Sequence, residues 1–90
     1  MRIIANIPHP KITINIFSMN DKYQIQFLAG NMEQTFKIAH NEVNGVDGIQ
    51  KLVDEVFLQK VLVRFNEMYL SLKESKERLN SESNNLKSEI

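Results

Sequence analysis

Ninety residues with 11 basic and 11 acidic side chains give a chain of zero formal charge, long enough for one small core and no more. The charge divides weakly. Met1–His40 carries Arg2, Lys11, Lys22 and Lys37 against Asp21 and Glu33, and the remainder is acidic by the same margin, too little for an electrostatic footprint on nucleic acid or membrane. Cysteine is absent, which excludes disulfides, thiol catalysis and cysteine-ligated zinc.

Met1–Ala39 alternates with period two, the signature of half-buried strands. A first segment, Arg2–Ile7, offers Ile3, Ala5 and Ile7 to one face, and Pro8-His9-Pro10 closes it. The run Ile3-Ile4-Ala5 is too short for a signal-peptide core or a membrane span. A second strand sets Ile12, Ile14 and Ile16 against Thr13, Asn15 and Phe17, and Asn20-Asp21 turns the chain. A third sets Tyr23, Ile25, Phe27 and Ala29 against Gln24, Gln26 and Leu28. Gly30-Asn31 then leads into a fourth strand, with Phe36 and Ile38 opposite Thr35 and Lys37. Clean alternation predicts an antiparallel sheet covered on one face only.

His40–Gly48 has loop composition, and Asp47 with Gln50 three residues later forms a capping-box pattern for a helix from Ile49. On a wheel of about 100° per residue, Ile49, Leu52, Val53 and Val56 cluster on one side. Leu58, Val61, Leu62, Phe65, Met68, Tyr69 and Leu72 cluster more than about 100° away. One straight helix cannot aim both stripes at the same sheet. The spacing therefore predicts a short helix, a break at Val53-Asp54, and a long helix capped by Asp54 with Glu55 in its first turn.

Leu58, Phe65, Leu72, Leu79 and Leu86 recur at every seventh residue, with Leu62 and Tyr69 completing the first part of an a/d seam. Lys76 and Ser83 then interrupt the second row. Strands of about seven residues span roughly 24 Å, whereas a helix from Asp54 to Leu79 spans roughly 39 Å. The last turns should overhang the sheet. The domain is thus expected over 1–79, with 80–90 a polar, frayed tail rich in Ser and Asn.

The segment IPHPKITINIFSMNDKYQIQFLAGNMEQTFKIAHNEVNG, followed by VDEVFLQKVLVRFNEM, resembles a family of short bacterial proteins of undetermined function. That family shares an "IPHP" start, an "EQTFK" fourth strand and a "DE-F" helix start over roughly 7–68. The resemblance implies four strands followed by helix and transfers no functional residue. At the level of topology the chain is also similar to Whirly and Pur single-strand-binding proteins, which are dimers of more basic character.

His9 and His40 are isolated from other ligands or bases. Gly45 and Gly48 lack the lysine of a phosphate loop, and Asp54-Glu55 diverge on a helix. No catalytic, cofactor or metal site follows, and no small-molecule ligand is implied.

The fold class expected is α+β, a four-stranded antiparallel meander followed by a short and a long helix on one face. The function expected is a non-enzymatic interaction or scaffold module, cytoplasmic and without membrane attachment. It should form a homodimer through Tyr69, Leu72, Leu79 and Leu86. The alternative is a weak single-stranded nucleic-acid binder using the open sheet face at Asn15, Phe17, Gln24, Gln26 and Lys37.

Overall fold

The computed structural model describes the backbone over 2–89 and the side chains over 2–81. Four strands, β1 (Arg2–Ile7), β2 (Thr13–Ser18), β3 (Lys22–Ala29) and β4 (Met32–Ala39), form one antiparallel sheet in the order β1-β2-β3-β4. A short 3-10 turn over His40–Glu42 follows, then α1 (Gly45–Leu52) and α2 (Glu55–Glu89). The fold is the α+β arrangement that the alternation and the two helical stripes predict.

Each turn follows from its residues. Gly30 has φ of 60° while Asn31 stays at negative φ, so the two-residue β3–β4 connection places glycine first, where a II′ hairpin requires it. At the other end of that hairpin the His40 N–H donates to the Asp21 carbonyl at 3.0 Å, closing the ladder. In the β1–β2 connection the Lys11 N–H donates to His9 Nδ1 at 3.1 Å, which gives His9 a turn-forming role.

The registers sort the side chains onto two faces. Ile14 lies opposite Phe27 and Ile16 opposite Ile25, with Ala5 and Ile7 beside them on β1. This face meets the helices, and Ile14, Ile16, Ile25, Phe27, Ile49 and Val61 are at most 1% exposed. Phe65 and Val53 join them in the core, and Phe36, Ile38, Leu58 and Leu62 pack around it half-buried. A core this apolar and contiguous is the main stabilising term, at about 1.5–3 kcal/mol for each large apolar side chain removed from water.

β1 departs from the sequence reading. Ile3 pairs with Phe17 and Ala5 with Ile16, so Ile4 is an extra residue in a bulge. The bulge shifts the alternation by one. Ile3 therefore lies on the open face, 52% exposed, and Ile4 packs against the core instead. The first helix also departs. It begins at Gly45, four residues before Ile49, with Asn44 preceding it and Asp47 inside its first turn rather than capping it. The Gly48 N–H already bonds the Asn44 carbonyl at 3.2 Å. A Cβ on Gly48 would stand 3.3 Å from Val43 Cβ, so glycine allows the helix to close on that side chain. Of the stripe Ile49, Leu52, Val53 and Val56, only Ile49 and Val53 are buried; Leu52 is exposed and Val56 belongs to the outer surface of α2.

The helix break stands where the phase jump puts it. α1 ends at Leu52, the Val53 N–H bonds the Ile49 carbonyl at 2.9 Å, and Val53 takes ψ of 69°. Asp54 Oδ1 accepts from the Phe57 N–H at 2.9 Å and the Asp54 carbonyl from the Leu58 N–H at 2.9 Å. That is a helix N-cap, with Glu55 favourably placed against the positive end of the helix dipole. The redirected first turn seats Phe57 against Phe27 and Phe36, with ring centroids 5.8 and 5.4 Å away. Further along, Gln34 Nε2 donates to the Val61 carbonyl at 2.9 Å, tying α2 to β4.

Asp54→Ala should therefore cost about 1 kcal/mol through loss of the cap, read as a lower urea midpoint at unchanged slope. Phe65→Ala should cost roughly 3–5 kcal/mol, a large share of the stability of a domain this size. Val63→Ala, on the exposed side of the same helix, should stay within roughly 0.5 kcal/mol. Equal melting temperatures for the two variants would show that α2 packs through another face.

Candidate functional site

Two surfaces carry the residues singled out in the sequence. The first is the inner stripe of α2 beyond the sheet. Glu55 to Met68, the last α2 residue packed against the core, covers roughly 20 Å, and Ser81 lies roughly another 20 Å on. β3, at eight residues, spans only about 27 Å. The stripe outlasts its cover. Tyr69 is 52%, Leu72 42% and Leu79 63% exposed, although they share the helix face of Val61 and Phe65. Tyr69 and Leu72, with Lys73 and Lys76, line a cleft whose other wall is the β3–β4 turn at Asn31 and Met32. Leu86 and the rest of the expected tail from 82 onward lie outside the described side chains.

The second surface is the open face of the sheet. The register brings Asn15 opposite Gln26, Phe17 opposite Gln24, and Gln24 opposite Lys37, so all five candidates share one plane. The structure adds two members that the sequence reading did not single out. Asn6 Nδ2 donates to Asn15 Oδ1, Asn15 Nδ2 donates to Gln26 Oε1 at 3.2 Å, and Gln26 Nε2 donates to Glu33 Oε1. A row of amides thus crosses all four strands and ends on a carboxylate. Its direction follows from chemistry. An ionised carboxylate only accepts, so Gln26 presents its NH2 to Glu33 and its oxygen to Asn15, and the same choice passes to Asn6. Bonds aligned head to tail in this way polarise one another.

That row changes what the face can do. Of the three candidate amides on this face, Asn15 and Gln26 are committed to the row, and the row terminates in negative charge. Phe17 is half-buried between Ile3 and Gln24 and is the aromatic of this face. Base-stacking platforms need several rings in a positive field.

A third feature escaped the sequence reading. Val56, Val63 and Leu70 repeat at seven-residue spacing on the side of α2 away from the sheet, and all three are exposed. Their spacing was visible, but it competes with the broader inner stripe for the same heptads.

Among the described residues, no group of three His, Asp or Glu side chains converges to hold a metal ion, and no helix is long and apolar enough to cross a membrane. His40 stacks at a tilt on Tyr23 with ring centroids 4.2 Å apart, and its buried Nε2 has no hydrogen-bond partner. No family model matches the chain, and neither does any curated protein or solved structure.

The amide row should carry measurable stability. Gln26→Ala removes the link that serves both Asn15 and Glu33 and should cost about 1 kcal/mol. Gln24→Ala, on the same strand and face but outside the row, should change the urea midpoint by less than roughly 0.5 kcal/mol equivalent. Equal effects would mean the row contributes nothing beyond strand propensity.

Proposed function

We propose that this protein is a small interaction module that associates with a second copy of itself through the extension of α2. One observation carries the reading: the apolar face that packs on the sheet continues past it at the same helical phase, leaving Tyr69, Leu72 and Leu79 exposed. Solvent gives no reason to keep leucine at seven-residue spacing on a free helix. A second helix does, because a and d positions bury only against a partner. Lys76 on the same stripe weakens the seam and favours a dimer that exchanges with monomer. The cleft beside the β3–β4 turn adds Met32 to the apolar surface such a partner would meet.

The alternative, single-stranded nucleic acid on the open face, draws on the shared plane of Asn15, Phe17, Gln24, Gln26 and Lys37. The amide row and its terminal Glu33 weigh against it, and the neutral chain offers few phosphate contacts.

Sedimentation of the full chain beside a Leu72→Ser/Leu79→Ser variant tests it. At roughly 100 μM, where a micromolar interface is filled, the native chain should run with at least twice the monomer mass through this seam, and the variant should lose that association with an unchanged far-UV spectrum. Equal masses for the two would remove the quaternary meaning of the stripe.

A further inference from the structure

The two edges of the sheet are built differently. β1 is blunted by the bulge at Ile4 and closed by Pro8, devices that stop edge strands from pairing with other chains. β4 has neither. It pairs with β3 over all eight residues from Met32 to Ala39 without a shift in register, and it meets α2 through Gln34 on its inner face, while the alternate side chains Glu33, Thr35 and Lys37 are exposed. A long, regular edge with neither bulge nor proline is a template for another strand.

The hydrogen-bond phase of that edge follows from the hairpin. Asp21 accepts from His40, and narrow pairs recur at every second residue of an antiparallel ladder. Tyr23–Ile38, Ile25–Phe36, Phe27–Gln34 and Ala29–Met32 are therefore the bonded pairs. The N–H and C=O groups of Glu33, Thr35 and Lys37 consequently point away from β3. Their side chains are all exposed, on the open face.

We propose that β4 pairs antiparallel with β4 of a second copy, about a two-fold axis at Thr35, joining two sheets into one of eight strands. The charges select this register. Centred on Thr35, Glu33 falls opposite Lys37 of the copy, and symmetry makes the pair twice. Centred on Gln34 or Phe36, neither charge meets its opposite. On the helix side the same register sets Met32 beside Ile38 and Gln34 beside Phe36, so apolar and polar faces continue across the seam. Gln26 occupies Glu33 Oε1 and leaves Oε2 for the lysine. Opposite charges placed directly across a strand pair are favourable, and like charges are not. The occupant is a second copy because the edge is complementary to itself, as a two-fold contact requires. This pairing runs along the backbone of β4, borders the α2 cleft at Met32, and does not rest on the α2 extension.

Amide hydrogen exchange on the full chain tests the pairing at residue resolution. In a lone chain the outward amides of Glu33, Thr35 and Lys37 face water. In the paired sheet they should exchange at least about tenfold more slowly, and dilution should abolish that protection. Lys37→Glu places like charges across the seam and should remove the protection. Adding Glu33→Lys to it restores the opposition and should bring the protection back. Thr35→Pro gives a second route, since the N–H it deletes makes no bond to β3 and the hairpin can keep its ladder. It should lose pairing and keep the inward amides of Gln34 and Phe36 protected. Protection should also survive in the Leu72→Ser/Leu79→Ser variant, which separates this seam from the helical one. Free exchange of the outward amides at high concentration would overturn the proposal. So would failure of the charge swap to rescue, or loss of protection in the leucine variant.

Discussion

The turn of the chain at Val53-Asp54 is the constraint on which the other features depend. A four-stranded sheet with one apolar face offers a single surface to bury against, and the helical sequence presents two apolar stripes that diverge. Reorienting the axis between them lets Ile49 and Val61, on different helices, both reach full burial. The carboxylate of Asp54 and the non-helical ψ of Val53 accomplish this within two residues. Phe57, in the first turn after the cap, is then delivered onto Phe27 and Phe36, which fixes where α2 crosses the sheet. A continuous helix would have had to leave one stripe in water, at a cost exceeding that of one broken turn.

The placement of α2 also decides what remains uncovered. Its first half serves the core and its second half outruns the strands, so the same apolar phase changes meaning from packing to availability at about Met68. The sheet shows the matching asymmetry. Its inner face is apolar, its outer face is tied by amides directed toward Glu33, and of its two edges β1 is protected by a bulge while β4 is not. A chain this short buries a modest fraction of its surface, and the α2 extension and the β4 edge are places where a second copy would add to the burial that one copy lacks.

Most of this architecture could be read from residue order. Period-two alternation located the four strands, and Asn20-Asp21 and Gly30-Asn31 located two turns, because side-chain direction in a strand follows from covalent geometry. The break at Asp54 was legible because helical phase is equally rigid. The misses share a cause, which is that register and tertiary cover are not local. Ile3 and Ile4 are chemically identical, so nothing in the pattern says which one the bulge turns inward. Asn44, Gly45 and Gly48 are poor helix formers, yet α1 begins among them, since closing on Val43 and burying Ile49 outweighs propensity. The amide row joins Asn6, Asn15, Gln26 and Glu33, residues related only through three strand registers. Asn15 and Gln26 could be placed on one face, but their bonding to each other could not.

The claim that one helix serves first as core and then as a surface for a second copy is tested most directly by residue-resolved hydrogen exchange along α2 at two protein concentrations. Amides from Leu58 to Met68 should show the slow exchange of the folded core at both concentrations. Amides from Leu72 to Ser81 should exchange faster when dilute and slow severalfold when concentrated. Protection beyond Leu72 that is identical at both concentrations, whether high or absent, would contradict the account.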